Sequence, residues 1–510
     1  MSNAPDLPSG WALAPLETVA AIRDELRQPV NADERSKRVG PYPYYGATGQ
    51  VGWIDDFRLD GSYVLLGEDG APFLDPVKPK AYLIQGKAWV NNHAHVLQAI
   101  EGISDNRFIM YALNSFNYAG VVNGTTRLKL TQAAMRQMLL PLPPLAEQRR
   151  IVAVIEEQFT RLDAGVAALK SARARLKQYR AAVLKAAVEG ELTKAWREAH
   201  PNTEPASELL VRILAERRAW WEAEQRAKGK NLAKSPYREP DTVNADGLGK
   251  ISEGWCWATV EQLGTIGEQA VLTGPFGSSL GRSDFITDGV PVLTIGCLTR
   301  QGLDLKKALY VSEMKASELQ RYRVRPGDLL FSRMASVGRA EVVSGEFSGA
   351  LVNYHLMRLR LSDQVIDPIY FINYVRGSAI VENYVRQVNH GATRDGINTE
   401  QLLGLPVALP SLPEQEQIVA EVERRLSVLN ALEVNIQAGL IRAERLRQSI
   451  LTRAFAGQLV PQDQNDEAAT DLLARISQNK KEGLLHLSLV GEDTTGRSSA
   501  LSSVRRRRRG

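Results

Sequence analysis

Two short loops of the sequence end in the same side-chain chemistry. The segment VNGTTR ends at Arg127 and the segment NHGATR ends at Arg394, so each combines glycine, hydroxyl groups and arginine. Glycine lets backbone N–H groups approach a phosphate, hydroxyls add donors, and arginine can bind a phosphate or fork onto guanine O6 and N7. Either loop alone could be a plain turn. Because the pattern occurs twice at equivalent places, it favours a nucleic-acid-binding surface.

Two further glycine-rich loops belong to the same prediction. YPYYGATGQVG, residues 42–52, combines aromatic residues, glycine and threonine, and GPFGSSLGRSDF, residues 274–285, is interpreted as its rough counterpart. Which side chains contact bases and which contact phosphates stays open. The candidate nucleic-acid contacts are Tyr45, Thr48, Thr125, Thr126 and Arg127 in the first region, and Ser278, Ser279, Arg333, Thr393 and Arg394 in the second.

Three catalytic chemistries find little support. No GxxxxGK[ST] loop is present, which disfavours a nucleotide-driven motor. GPFGSSL lacks the leading Asn or Asp that an amino-methyltransferase loop needs to hold a flipped base. The pair His93 and His95 has no Glu-x-x-His or cysteine spacing to complete a metal site, so a hydrogen-bonding role is favoured and no metal is expected.

Composition is compatible with a polyanionic partner. The 510 residues carry a formal net charge of +5, but the run Arg505–Arg509 contributes to this excess and is interpreted as a solvated tail. Cys256 and Cys297 form no metal or disulfide pattern, and no signal peptide or long apolar run is visible. A cytoplasmic location without membrane contact is therefore expected.

The chain is a tandem duplication. At an offset of 267, residues 142–192 align with 409–459 without a gap, and 17 of 51 positions are identical. Each copy has a Gly-Trp entrance, at Gly10-Trp11 and Gly254-Trp255, and an exit motif, EPASELLVRI from Glu204 and DEAATDLLARI from Asp466. Such self-similarity is typical of a repeated structural unit.

The duplicated part predicts a long helix in each copy. Residues 145–189 carry apolar side chains at a seven-residue spacing, which is typical of a coiled-coil seam. About 45 residues at ~1.5 Å each give a rod of roughly 65 Å, and its narrow stripe needs a partner, most simply the second copy. The alternative is two unrelated core helices. The seam residues are Ile155, Leu162, Leu169, Leu176 and Val183, with Val422, Leu429, Ile436, Ala443 and Ile450 in the second copy.

The segments before these helices hardly align with each other. Residues 10–141 and 254–408 contain short apolar or alternating runs broken by Gly, Pro and Asp, which indicate strands and turns of mixed α/β modules. We therefore predict an α+β fold in which matched helices hold two different modules. The predicted boundaries are 1–141 for the first recognition domain, 142–192 for the first spacer helix, 193–250 for a linker with short helices, 251–408 for the second recognition domain, 409–459 for the second spacer helix and 460–510 for a short helix and tail.

The whole arrangement resembles the specificity subunit of a type I restriction-modification enzyme. The resemblance covers roughly residues 7–476 and depends on the twofold order of the GW entrance, the P-L-x-E-Q helix start and the G-x-L helix end. YYGATG with VNNHAHVL resembles one target-recognition module, and GPFGSSL with PGDLLFSRMASVG and GATRDGI resembles another. The second entrance reads ISEGW where the first reads LPSGW.

The resemblance implies a division of labour. Each module would read one half of a split duplex DNA target, and two antiparallel spacer helices in a pseudo-twofold repeat would set the gap. The chain would have no catalytic residues and no cofactor of its own. Adenosylmethionine would be bound by two recruited modification subunits, which methylate adenine N6, and restriction or translocase subunits would join for cleavage. The outer helix faces and the segment with Trp220 and Trp221 are candidates for docking them.

Two other functions stay open at this point. A standalone DNA methyltransferase or restriction enzyme would need motifs that the sequence lacks. A coiled-coil scaffold that never contacts DNA would show no salt-dependent binding to duplex DNA.

Overall fold

The fold consists of two compact units, and each unit contains one end of both long helices. The computed structural model describes residues 7–277, 279–299, 302–334, 338–389, 396–475 and 478. One unit comprises Met1–Lys170 with Gln437–Gly510, and the other comprises Ser171–Ile436. We call them the first and second units.

The helices and strands follow one another in mixed order. Up to the first long helix they are β1 Ala12–Pro15, α1 Leu16–Val19, β2 Ala20–Ile22, α2 Ala32–Lys37, β3 Tyr42–Gly46, β4 Gly49–Ile54, β5 Leu59–Gly67, β6 Ala81–Val90, β7 Ala94–Ala99, α3 Asn106–Ser115, α4 Gln132–Arg136, β8 Leu139–Leu142 and α5 Leu145–Val188. After it come α6 Lys194–Ala199, α7 Ala206–Ala227, β9 Cys256–Thr259, β10 Val271–Thr273, β11 Phe285–Ile286, β12 Val290–Leu293, β13 Leu298–Thr299, β14 Gly302–Leu303, β15 Leu309–Val311, α8 Glu313–Glu318, β16 Leu329–Ser332, β17 Ala340–Val342, β18 Leu351–Val352, β19 Leu356–Leu359, α9 Pro368–Gly377, α10 Ala379–Asn389, α11 Thr399–Leu403, β20 Pro406–Leu409 and α12 Leu412–Phe455.

The first unit is built on a six-stranded sheet with the order β2-β7-β5-β6-β3-β4. Its core joins the sheet residue Leu97, Phe108 of α3, Ile151 of α5 and Ile450 of α12, all of them buried. Asp105 starts α3 because its side chain accepts hydrogen bonds from the N–H groups of the first turn. The first module is thus packed directly on the long helices.

The second unit carries two four-stranded sheets, with the orders β10-β19-β16-β17 and β11-β15-β12-β18. Asp367 caps α9, whose first residue is Pro368, a position where proline loses no helical hydrogen bond. Phe371 of α9 is buried in one core with Phe331 of β16 and Ile418 of α12. The mixed α/β character predicted for both modules is confirmed.

Both units have the same small structure at the start of the long helix. A two-stranded antiparallel pair, β1 with β8 and β9 with β20, leads into the start of the long helix. The entrance tryptophan donates its indole N–H to the glutamate of the P-L-x-E-Q motif: Trp11 Nε1 to Glu147 Oε2 at 3.0 Å, and Trp255 Nε1 to Glu414 Oε2 at 2.9 Å. The repeated motif therefore corresponds to a buried tryptophan–glutamate hydrogen bond in each copy.

The glutamine of the same motif satisfies backbone carbonyls. Gln148 Nε2 donates to the oxygens of Ile103 and Pro143 at 2.9 and 3.0 Å. Gln415 Nε2 donates to the oxygens of Val365 and Pro410 at 3.0 and 3.1 Å. Because buried carbonyls need donors, these two amides tie each module to its helix start.

The exit segment of each repeat is hydrogen-bonded to the entrance of the other repeat. In the first unit, Ala469 N, from the end of the second repeat, donates to Gly10 O at 2.8 Å. In the second unit, Ala206 N, from the end of the first repeat, donates to Gly254 O at 3.0 Å. The exit of each repeat is thus bonded to the entrance of the other repeat, and we call these bonds the cyclic contacts of the duplication.

Both long helices are confirmed, and within each unit they run antiparallel. In the first unit, Asp163 pairs with Arg447, and Leu169 lies opposite Gly439. In the second unit, Arg173 lies 3.8 Å from Glu433, and Arg180 contacts Asn430. Each helix ends before a glycine with a positive φ, Gly190 at 76° and Gly457 at 68°, a conformation that glycine adopts without a Cβ clash.

The seven-residue stripe lies between these helices, with burial that depends on position. The stripe residues of α12 are all buried, as are those at the two ends of the α5 stripe, Ile155 and Val183. Leu162, Leu169 and Leu176, in the middle of α5, are half-buried. The middle of the α5 stripe is covered by α12 alone, whereas its two ends also pack in the cores of the modules.

Candidate nucleic-acid interface

Four segments of the first unit meet in a cluster of loops. We define the first loop cluster as residues 45–49, 67–71, 91–94 and 123–130. Its segments are joined by backbone hydrogen bonds: Asn91 N to Tyr45 O at 3.1 Å, Glu68 N to His93 O at 2.8 Å, and Leu130 N to Glu68 O at 2.7 Å. The two glycine-rich loops predicted from the sequence, YYGATG and GTTR, are therefore brought together.

The first loop cluster carries a layer of ion pairs. Asp69 Oδ1 lies 2.9 Å from Arg127 Nη2 and 2.7 Å from His93 Nδ1. Glu68 binds Lys129 Nζ at 3.1 Å and also Arg27. Burial would raise the pKa of the Glu68 carboxyl, but hydrogen bonds from Arg27 and Lys129 outweigh it and lower the pKa below its usual value.

His95 belongs to the interior rather than to this surface. Its ring is buried, with Nδ1 2.8 Å from Asp24 Oδ2 and Nε2 3.0 Å from Leu130 O. Burial opposes ionisation of Asp24, but the contacts with His95, Val96 N–H and Arg27 lower the pKa of its carboxyl. The two histidines that the sequence placed together thus have separate partners, and each has a hydrogen-bonding role.

The candidate contacts of the first unit all lie in the first loop cluster. Thr125, Thr126 and Arg127 are exposed on one loop, Thr48 is exposed at the β3–β4 turn, and Tyr45 is half-buried beside it. The ring of Tyr45 lies 5.9 Å from that of Tyr82, centroid to centroid. Tyr45 is consequently fixed by packing, whereas the hydroxyls and the guanidinium face solvent.

Three segments of the second unit repeat the backbone bonding of the first loop cluster with other side chains. We define the second loop cluster as residues 274–277, 332–334, 352–356 and 396–397. Arg333 N donates to His355 O at 3.0 Å, and Ile397 N donates to Arg333 O at 3.0 Å. These bonds match those among His93, Glu68 and Leu130 in the first unit. Two modules with little sequence similarity therefore share a three-segment loop arrangement, beside which residues 274–277 lie in the second unit.

Aromatic and cationic groups occupy the second loop cluster. The guanidinium of Arg333 lies 5.4 Å from the ring centroid of Phe276, and the rings of Tyr354 and His355 lie 3.8 Å apart. Phe276 is 55% exposed and Tyr354 38% exposed. Burial and the charge of Arg333 lower the pKa of His355 below its usual value. Exposed rings of this kind can contact thymine methyl groups or stack on bases.

The candidate residues of the second unit are only partly described. Arg333 is half-buried in the second loop cluster, and Ser279 is exposed just after it, with its N–H bonded to Phe276 O at 2.8 Å. Ser278, Thr393 and Arg394 lie outside the described residues, as does Arg505–Arg509. Their assigned roles stay predictions.

The interpretation of GPFGSSL as the counterpart of YYGATG is wrong at the level of strand pairing. The residue of the second unit that pairs like Tyr45 is Leu293, because Asn353 N donates to its carbonyl at 3.0 Å as Asn91 N does to Tyr45. GPFGSSL instead follows β10, which pairs with β19 as β2 pairs with β7. Glycine content is a property of many turns, so it did not identify the strand register.

Sequence reasoning missed a V-N-x-H turn that both units share. In each, the asparagine Oδ1 accepts the histidine N–H, from Asn91 to His93 at 2.8 Å and from Asn353 to His355 at 3.1 Å. The turns begin at Val90 and Val352. Their separation of 262 is close to the offset of 267 between the helices, so the repeated tetrapeptide was a usable signal.

The proposed docking segment is anchored to the second unit. Arg217 of α7 donates to the oxygens of Glu261 and Gln262, both at 2.9 Å. Trp221 packs against Tyr237 with ring centroids 5.4 Å apart, and Trp220 stays 41% exposed. Trp220 is the more exposed of the two tryptophans, and one edge of its ring lies against Gly267.

Two further properties concern the described residues. They contain no group of three or more His, Cys, Asp or Glu side chains arranged to hold a metal ion. Among their helices, none has both the length and the apolar character needed to cross a bilayer.

The fold matches a known class of protein. A solved structure described as "Structural basis underlying complex assembly and conformational transition of the type I R-M system" superposes with a TM-score of 0.58 at 18% identity, covering 89% of this chain and 100% of that one. The family described as "Type I restriction modification DNA specificity domain" matches residues 8–168 and 283–440. Together these segments make up more than half of the chain, and the chain therefore belongs to this family.

Curated relatives agree with this membership. The chain is 24% identical over 494 residues to the StySPI specificity subunit of Salmonella potsdam, covering 90% of this chain and 91% of that protein. It is 23% identical over 436 residues to the Escherichia coli EcoDI specificity subunit, covering 83% and 84%. A putative specificity subunit of Haemophilus influenzae is 37% identical over 145 residues, which cover 28% of this chain and 36% of that relative.

Proposed function

We propose that the chain recognises a bipartite duplex DNA target, with each module reading one half-site. The observation that carries this proposal is the backbone bonding that three segments of each loop cluster share, while the side chains of the two clusters differ. A cluster with Arg127, Asp69 and His93 offers polar contacts, whereas one with Phe276 and Tyr354 offers aromatic contacts. Two surfaces with unlike chemistry would select unlike base sequences.

The chain acts in this proposal as the non-catalytic member of a complex. It recruits two modification subunits that bind adenosylmethionine and methylate adenine N6, and motor and nuclease subunits join for restriction. Supporting this, the family that matches residues 8–168 and 283–440 is described as a DNA specificity domain. The exposed faces of α5 and α12 and the ring of Trp220 are the surfaces we assign to docking.

The decisive experiment maps methylated adenines in DNA from cells that carry the chain with its modification subunits. We expect two short conserved half-sites separated by a gap of constant length and free sequence. The purified chain alone, given labelled adenosylmethionine and DNA, should transfer no methyl group. Methyl transfer by the chain alone, or one continuous recognition sequence, would contradict the proposal.

A single substitution tests which module reads which half. Arg127→Ala should weaken recognition of one half-site by roughly tenfold, because an arginine contact to a base or phosphate is lost, and leave the other half-site unchanged. Arg136→Ala serves as the control, since Arg136 lies outside the first loop cluster and pairs with Glu17 at 3.2 Å. Relative methylation of oligonucleotides with one altered half-site provides the measurement, and equal loss at both halves would speak against the assignment.

A further inference from the structure

One carboxylate in the first loop cluster holds two side chains from distant segments. Asp69 Oδ1 is 2.9 Å from Nη2 of Arg127 and 2.7 Å from Nδ1 of His93. The exposed side-chain fractions are 22% for Asp69, 60% for Arg127 and 39% for His93. The carboxylate is thus the most covered member of a group whose two donors reach solvent.

The backbone under these three residues is fixed. Glu68 N is bonded to His93 O, and Gly70 N is bonded to Leu128 O at 3.1 Å, so both neighbours of Asp69 are tied to the segments that carry its partners. Gly70 has a φ of 69°, and a Cβ there would lie 3.0 Å from Arg127 Nε. The positive φ of the turn therefore favours glycine, and a methyl group there would shift the Arg127 side chain by a few tenths of an ångström.

The hydrogen-bonding capacity of this group follows from its contacts. An ionised carboxylate only accepts hydrogen bonds, so His93 presents Nδ1–H to Asp69, and in the neutral ring Nε2 is then an acceptor. Arg127 uses one N–H on Asp69 and keeps its other N–H groups as donors. With a neutral His93 ring, the group therefore offers donors from Arg127 beside an acceptor from His93.

This pattern complements one base pair. In the major groove, a G·C pair presents the acceptors N7 and O6 of guanine followed by the N4 amino donor of cytosine. We propose that Arg127 and His93 read a G·C pair in the half-site of the first module, with Asp69 as the positioning residue that sets the direction of both. This inference rests on the proposed function and narrows it to one base pair.

The equivalent place in the second unit is built differently. Met334 pairs with Gly396 as Asp69 pairs with Lys129, so a thioether side chain stands where the carboxylate stands in the first unit. His355 contacts the ring of Tyr354 instead. The G·C reading is therefore assigned to the first module alone.

The test uses the full chain with its modification subunits and a duplex library randomised in the first half-site. The wild-type complex should require G·C at one position. Asp69→Ala and Arg127→Lys should each relax the preference at that position by roughly tenfold or more, while preferences at the other positions and in the second half-site stay unchanged. His93→Ala should relax the same position.

A matched control is available in the same unit. Asp55 holds Arg38 at 2.7 Å, as Asp69 holds Arg127, but lies directly after β4 and outside the first loop cluster. Asp55→Ala should leave every base preference unchanged. Thermal unfolding of each variant separates loss of folding from loss of reading, and Arg127→Lys alters an exposed side chain, so it keeps the test available if Asp69→Ala is unstable.

Several outcomes would overturn the inference. A loss of affinity that is equal for all sequences would mean that Arg127 contacts a phosphate. Unchanged preference in Asp69→Ala, with wild-type selectivity intact, would remove the positioning role and leave the proposed function standing. A wild-type complex without any base preference would instead refute the proposed function together with this inference.

Discussion

At the scale of single residues, the two copies of the P-L-x-E-Q motif differ in how their glutamates are satisfied. Glu414 accepts from Trp255 and also from Thr193 at 2.6 Å and from Arg197. Glu147 accepts from Trp11, and within the described part of the chain its Oε1 has no hydrogen-bond partner. Burial raises the pKa of the Glu147 carboxyl above its usual value despite the indole N–H.

Glu147→Gln should stabilise the protein at neutral pH. A raised folded-state pKa means that the charged form is disfavoured by folding, so the stability of the wild type is fully present below the unfolded-state pKa, ~4.3, and is lost as the pH rises through the folded-state pKa. The variant should therefore have a higher free energy of unfolding than the wild type above that pH range. The difference between the two free energies should vanish in acid. Urea unfolding of both proteins between pH 4 and pH 8 measures it.

Glu414→Gln is the matched comparison. It removes a charge that Arg197 contacts, so it should destabilise the protein by about 1–3 kcal/mol at neutral pH. If the two variants behaved alike, the different partners of the two glutamates would have no energetic consequence.

At the scale of elements, the long helices show how a narrow stripe is covered by one partner. Gly165 of α5 has nothing within 4 Å of an added Cβ, whereas a Cβ at Gly439 of α12 would lie 3.1 Å from Leu169 Cδ1. Both glycines are in helix interiors, where glycine costs about 1 kcal/mol relative to alanine. Their surroundings, and not their helix propensities, distinguish them.

Gly165→Ala should therefore raise the free energy of unfolding by about 0.5–1 kcal/mol. Gly439→Ala should raise the free energy of unfolding by less than Gly165→Ala does, or lower it. The reason is that Leu169 must move by a few tenths of an ångström to admit the methyl group. Urea midpoints of the two variants provide the measurement. An equal gain in both would indicate that the helices do not press together at this point.

At the scale of the whole molecule, the cyclic contacts of the repeat explain why the same motifs occur twice. Gly10 is bonded to the exit segment of the second repeat and Gly254 to that of the first, so each entrance needs the other copy's exit. A duplicated chain satisfies both with one set of motifs. The recognition modules lie outside this requirement and are free to diverge.

The helix length is open to a direct test of the proposed spacer role. Inserting seven residues into α5 after Lys170 and seven into α12 after Gln437 keeps the seam in register and lengthens both helices by about 10 Å. The gap between half-sites should then grow by about three base pairs at ~3.4 Å each. Methylation mapping reads the gap.

Insertion into α5 alone is the control, because it shifts the stripe of α5 against that of α12. It should lower stability and methylation. An unchanged gap after paired insertion would refute the ruler hypothesis.

Much of the fold could be predicted from patterns among residues that are close together in the sequence. The seven-residue spacing from Ile155 to Val183 predicts a helix and its seam because a helix returns side chains to one face at that spacing. The tandem copy predicted a partner for it, and the family resemblance predicted the antiparallel direction. Trp11 and Glu147 were visible as repeated motifs, though their contact with each other was not.

Only the tertiary structure decided that Asp69 and His93 join Arg127 in the candidate reading surface. Asp69 and Arg127 are 58 positions apart, and they meet because Glu68 and Gly70 are bonded to the backbones of the two other segments. The strand register that pairs Tyr45 with Asn91 likewise leaves no local trace, so similar glycine content suggested the wrong counterpart. Contacts between distant segments depend on backbone pairing across the whole module, and a periodicity read along the chain contains no information about that pairing.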